Sequence, residues 1–229
     1  MPDLPTAAVV VEALSRLRTD ADLAALRKRL PAGEEAFGVR MGSLFDVAKA
    51  NTDLPIAEVE RLLDHPAYEP RMAAFCILDF KSRRKLEAEQ HAELYDVYLR
   101  RHDRITTWDM VDRSAPRVVG GYLTGRDKRP LHELASADAP LRRRTAITAP
   151  LFYTRSGTPD LAVGFAIAAT LAADPDPIVH KPVGIFLKHA CSHDEASVLA
   201  FLDEHASAMP RPALRLAVEK LAPDLRSAY

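Results

Sequence analysis

Pro140-Leu141-Arg142-Arg143-Arg144 reads as the opening of a helix, a proline whose missing N–H is no loss in a first turn followed by residues that helices accept. The same kind of opening occurs at Pro70 before Arg71-Met72-Ala73-Ala74-Phe75, at Thr106 before Thr107-Trp108, at Pro177 before Ile178-Val179 and at Pro210 before Arg211. Taken in chain order, from Pro70 to Pro210, the intervals are 36, 34, 37 and 33 residues. A period in the mid-thirties holds two antiparallel helices and a turn, the repeating unit of HEAT, armadillo or TPR solenoids. The spacing alone does not choose among the three.

Outward from these openings the pattern persists. Apolar residues recur at helical spacing in Val9, Val10, Leu14 and Leu17, in Leu23, Leu26 and Leu30, and in Val59, Leu62 and Leu63, whereas strand alternation is nearly absent. Further helix starts are marked by Asp20, by Pro55 and by Pro159, the last opening an alanine-rich stretch to Ala173. The expectation is an all-α chain, an α-solenoid of HEAT-like repeats forming one domain over residues 1–229. Residues 1–54 fall outside the period and are expected to cap the array, with helical pairs over 55–229. In the opening helices a basic and a small residue recur: Arg71 with Ala73, Arg144 with Ala146, Lys181 with Gly184, Arg215 with Ala217. One helix per pair would then present basic positions to a common ligand, on a concave basic face.

Composition removes whole classes of function. With 229 residues, 48% hydrophobic and 28% charged, the chain can bury a core and is neither a disordered tail nor a membrane protein. Met1-Pro2-Asp3-Leu4-Pro5 carries no basic region before an apolar stretch, so no secretory signal is expected and the expected address is cytoplasmic. Cys76 and Cys191 are the only cysteines, which excludes a disulfide scaffold and a four-cysteine zinc site. Net charge is −1, yet Arg100–Arg155 holds twelve basic residues against six acidic ones, so that segment is +6 and the remainder −7. A polyanion could use such polarity; a solvated surface whose basic side chains do not converge would show the same count.

Chemistry-bearing motifs are few. His189, Cys191 and His193 resemble a metal cluster in sequence, but on a helix Cys191 points away from the two histidines and no fourth ligand is suggested, so no metal and no cofactor are expected. Gly120-Gly121 and Gly38-Val39-Arg40-Met41-Gly42 lack the strand, the helix and the lysine of a phosphate-cradling loop, and no Gly-x-Ser-x-Gly element is present. Cys76 sits in an apolar run and reads as packed core. The single tryptophan lies in Thr106-Thr107-Trp108-Asp109-Met110-Val111-Asp112-Arg113. Thr106 and Asp109 have the spacing of a capping box, which gives Asp109 a structural reason for its place. Asp112 has none, and at four residues from Trp108 it shares a helical face with the indole. An indole face beside a carboxylate suits a cation. Also open at this point is a core Trp108, with Asp112 paired to Arg113, Arg117 or Arg144.

Three motifs in order, Trp108-Asp109-Met110-Val111-Asp112, Arg144-Thr145-Ala146-Ile147 and Lys181-Pro182-Val183-Gly184-Ile185, resemble those of the AlkD-like DNA alkylation repair glycosylases, which are built from HEAT-like repeats. The resemblance runs from about Phe37-Gly38-Val39-Arg40 to Lys188, about two-thirds of the chain. It implies Trp108, Asp112 and Arg144 as the catalytic group. The chain departs from the family at Ile185, a cleft-wall position where a second tryptophan is usual. The implied reaction is monofunctional excision of cationic N3- or N7-alkylated purines from duplex DNA, leaving an abasic site. Asp112 would stabilise positive charge on the sugar and orient water, Trp108 would contact the deoxyribose and the cationic base edge, and Arg144 would hold the flanking phosphate and keep Asp112 ionised. Arg142, Arg143, Lys181, Lys188 and Arg40 are the expected backbone contacts, which position without specifying and make binding salt-sensitive.

The expected partner is double-stranded DNA carrying alkylated bases, approached by a monomer and through which the protein would associate with the nucleoid. Two alternatives stand beside the enzyme: a non-catalytic relative that binds distorted or branched DNA, motivated by Ile185, and a protein-binding helical-repeat scaffold.

Overall fold

The computed structural model of the protein describes residues 5–155 and 160–229. Met1–Leu4 and Pro159, invoked above for a leader and a helix start, lie outside the described residues. Two compact units divide the chain, Met1–Ser114 and Ala115–Tyr229. Among the described residues the architecture is all-α: no strand forms, and a lone parallel bridge joins Glu35 to Ala67. Among the described residues no helix is long and apolar enough to cross a membrane.

The first unit carries α1 (Ala7–Arg16), α2 (Asp20–Arg27), α3 (Met41–Ala50), α4 (Ile56–Leu63), α5 (Tyr68–Lys81), α6 (Ala88–Arg100) and α7 (Trp108–Ala115), whose final residue belongs to the second unit. Its spine is α5. Met72 through Leu78 are buried without interruption, so this stretch of the helix is apolar all round and is enclosed by neighbours, α3 and α4 among them. Helix starts follow the local chemistry. Thr19 caps α2 by accepting from the Asp22 N–H, and Pro55 precedes α4. α5 begins at Tyr68, two residues before the sequence signal at Pro70, because the first-turn N–H that a proline lacks has no acceptor inside the helix.

The second unit follows a π turn at Pro116–Gly121 with α8 (Arg129–Ala135), α9 (Pro140–Thr148), a 3₁₀ turn at Ala149–Arg155, α10 (Ala162–Thr170), α11 (Pro177–Cys191), α12 (Glu195–His205), α13 (Arg211–Ala217) and α14 (Pro223–Arg226). Here α9 packs on α11 and α11 on α13, while α8 lies against α9 and α12 against α11. Every second helix stacks in series with its pair-mate alongside, the packing of an α-solenoid. The recurrent openings in the sequence are those of α5, α7, α9, α11 and α13, one per pair.

Close stacking explains Gly184. A Cβ at that position would stand 2.3 Å from the Ala213 carbonyl oxygen and 2.8 Å from Leu216 Cβ, so α11 and α13 approach more closely than any side chain allows. Gly184→Ala is expected to cost about 1–3 kcal/mol, by forcing those helices apart, in a denaturant melt of the purified protein. Unchanged stability would show that the two helices separate without loss.

Candidate active site

The site of interest is assembled in the first unit from a stapled loop and the start of α7. Glu69, the second residue of α5, is fully buried. Its Oε1 accepts from the backbone N–H groups of Gly38 at 2.7 Å and Val39 at 3.1 Å, and its Oε2 from that of Phe37 at 2.8 Å. Gly38 has φ +89°, and a Cβ on it would meet the Thr19 carbonyl oxygen and Leu23 Cβ at 2.6 Å, so only glycine fits the stapled turn. The turn delivers the chain to Arg40, the N-cap position of α3. From there Met41 and Phe45, four residues apart and therefore on one helical face, reach the cleft.

A second buried tie fixes the approach to α7. Arg71 forms an ion pair with Glu34, and the Thr106 hydroxyl donates to the same carboxylate at 3.1 Å. Burial, with Arg104 adding repulsion, holds the Arg71 guanidinium below its ordinary pKa. This corrects the capping box expected of Thr106 and Asp109. The helix starts at Trp108, so Thr107 immediately precedes it, and the Thr106 side chain is drawn to Glu34.

α7 places its first residue, Trp108, with 45% of its surface exposed, which excludes a core role for the indole. Asp112 follows one turn later, half-buried. Both line a cleft of about 420 Å³, within the range of small-ligand sites. Met41, Phe45 and Met72 supply its apolar walls, and Arg29, Asp109 and Arg113 complete its charged rim.

Each of those three charges is engaged. Asp109 is 8% exposed and accepts from Arg29 Nη1 at 2.5 Å, from the Tyr68 hydroxyl at 2.7 Å and from the Thr107 hydroxyl at 2.6 Å. Burial, reinforced by the Asp109 charge, raises the Tyr68 phenol above its usual pKa, so it remains a donor throughout the neutral range. Burial works against the Arg29 charge, but the bond to Asp109 and the contact with Tyr68 outweigh it and the guanidinium is raised. Arg113 takes Asp79 as its carboxylate partner at 3.1 Å, and its guanidinium lies 4.5 Å from the Phe45 ring and 4.7 Å from that of Phe80. It thereby steadies one wall of the cleft. Cys76, on α5, is fully buried, and burial pushes its thiol up to about 12, which makes it packing and not a nucleophile.

The remaining residues singled out in the sequence divide between the units. Arg40, in the first, is exposed, with no ion-pair partner among the described residues. On α9, Arg142 is exposed, Arg143 is half-buried and Arg144 is buried. Arg143 binds Asp174 through Nε at 2.6 Å and Nη2 at 3.0 Å, and its Nη1 donates to the Ala137 and Asp138 carbonyls. Arg144 Nη1 donates to the Ile178 carbonyl in the first turn of α11. Lys181, Ile185 and Lys188 form one stripe of α11; Lys181 is exposed, and Lys188 pairs with Glu219 at 2.5 Å. Ion pairs also absorb much of the charge counted from Arg100 to Arg155: Arg100, Arg101 and Arg104 meet Glu60 and Asp64, and Arg129 meets Asp127. Among the described residues no three His, Cys, Asp or Glu side chains gather as a metal-binding group.

Sequence reasoning missed Arg29, Tyr68, Met41, Phe45, Met72 and Arg113. Met41 and Phe45 carried a usable signal, two large apolar residues four apart just beyond Gly38. Arg29 and Tyr68 carried none, since they reach Asp109 from 80 and 41 residues away.

The fold is similar to that of a predicted DNA alkylation repair enzyme from Enterococcus faecalis, with a TM-score of 0.66 over 90% of this chain and 98% of that one, at 14% identity. No curated protein matches the chain. The family model for DNA alkylation repair enzymes matches residues 10–221, a span that includes all of the cleft and the helices bearing Arg144 and Lys181. On that match, the chain belongs to the DNA alkylation repair enzyme family.

Proposed function

We propose that the protein is a monofunctional DNA glycosylase that hydrolyses the N-glycosidic bond of cationic N3- or N7-alkylated purines in duplex DNA. The observation that carries this is the pairing of a half-exposed indole, Trp108, with Asp112 one helical turn away in an apolar-walled cleft. Such a site attracts a cation from two directions and gives little to an anion at its centre.

In the proposed reaction the bond between C1′ and the purine nitrogen breaks with its electron pair passing to the base. The alkylated purine, positively charged at the start, therefore leaves neutral and needs no proton. Positive charge develops on the sugar, where Asp112 stabilises it as carboxylates do in glycoside hydrolysis. Water adds at C1′ and gives up a proton, for which Asp112 is the acceptor, and an abasic site remains. Trp108 holds the deoxyribose and the base edge. The exposed Arg142 and Lys181 of the second unit and the exposed Arg40 of the first are assigned to the phosphodiester backbone; Arg144, Lys188 and Arg143 are lesser candidates, because the Ile178 carbonyl, Glu219 and Asp174 already hold them.

The test is release of free base from a duplex carrying one N7-methylguanine, followed by alkaline cleavage of abasic sites. Alkali-labile product whose yield rises with time and with enzyme is the expected result, together with duplex affinity that weakens steeply with salt. Salt-sensitive binding without any product would overturn the enzyme in favour of a relative that binds distorted DNA, the role that Ile185 in place of an aromatic wall would suit. Neither binding nor product would point to a protein scaffold.

A further inference from the structure

Asp109 is bound far more tightly than a helix-start acid needs to be. A capping carboxylate needs one backbone N–H, whereas Asp109 takes three side-chain donors from three parts of the chain: Arg29 just beyond α2, Tyr68 at the first position of α5, and Thr107 immediately before α7. Arg29 also lies over the Tyr68 ring, 5.4 Å from its centroid, so two of the donors brace each other.

We propose that Asp109 is a positioning residue for base excision, fixing through Arg29, Tyr68 and Thr107 the rotation of α7 and with it the places of Trp108 and Asp112. This rests on the glycosylase function proposed above. Residues 108, 109 and 112 belong to one rigid helical segment, so pinning the second sets the other two. A buried, fully occupied carboxylate with a charge-assisted bond resists rotation better than a backbone cap would. Exposure distinguishes Asp112 from Asp109 as the reacting group: Asp109 is buried, and Asp112 is the more exposed of the two on the cleft.

Trp108 is the single tryptophan of the chain, so its fluorescence reports the position of α7 directly and independently of catalysis. Asp109→Asn is expected to keep the helical circular dichroism of the parent while shifting Trp108 emission and its quenching by acrylamide. Its kcat for N7-methylguanine should fall about 100-fold with KM changed less than about threefold, the signature of misplaced groups rather than lost binding. Tyr68→Phe and Thr107→Val each delete one donor and should move fluorescence and kcat in the same direction by smaller factors. Folded Asp109→Asn with unaltered Trp108 fluorescence and kcat would overturn the proposal. If Asp109→Asn does not fold, unaltered fluorescence and kcat in both single-donor variants would overturn it equally. A parent protein that releases no base would sink the glycosylase function instead, and the three fluorescence comparisons would still decide whether Asp109 positions α7.

Discussion

Asp112→Asn is expected to slow excision of N7-methylguanine about 100- to 1,000-fold while changing duplex affinity by less than about threefold. The carboxamide has nearly the size of the carboxylate and retains one acceptor oxygen, so the cleft keeps its shape and loses a charge and, with it, the proton acceptor. In the proposed reaction that charge acts where positive character grows on the sugar, among Met41, Phe45 and Met72, whose apolar surfaces strengthen any electrostatic interaction by excluding water. Ground-state binding depends on phosphate contacts made by cations and gains slightly, if anything, from removal of an anion. Single-turnover rates and binding isotherms on one substrate separate the two effects. Rates within about threefold of the parent would remove Asp112 from the chemistry even if the protein excises bases, because a group that stabilises the transition state by charge cannot be neutralised without cost.

The helical fold was legible because its signals are local. Proline at the opening of α9 and α11 and before α13, and apolar spacing within the helices, are properties of neighbouring residues, and their recurrence exposed the pair period before any contact was known. The Trp108–Asp112 pairing was legible for the same reason, since four residues on one helix make one face. What the sequence could not disclose is which partner a polar side chain selects. Thr106 and Asp109 satisfy the spacing of a capping box, but Glu34 draws the first, and Arg29, Tyr68 and Thr107 draw the second. Buried long-range partners outcompete a local bond because a charged group inside the protein must be satisfied by whatever donors the packing brings. Arg143 makes the same point: in sequence it is one of three consecutive arginines open to a phosphate, and in the fold two bonds to Asp174 and two to backbone carbonyls engage it.

Glu69→Ala should lower stability by roughly 3 kcal/mol or more, a fall in melting temperature of about 6–12 °C for a chain of this size. Alanine leaves the Phe37, Gly38 and Val39 amides without the acceptor that now receives all three, and Gly38 holds its left-handed conformation against Thr19 and Leu23 only because that turn is pinned. Glu69→Gln should fall between alanine and the parent, since its amide oxygen can serve one side of the staple while its NH₂ confronts the remaining N–H groups. The loss reaches function through α3. Once the turn ahead of Arg40 is loose, Met41 and Phe45 no longer define a wall, so excision at a temperature where the variant remains folded should decline more than affinity for the duplex. A melting-temperature change below about 2 °C would mean that water or other carbonyls satisfy these amides at no cost. Such a result would contradict the burial of Glu69 itself, because a carboxylate is kept out of water only where several donors repay its lost hydration.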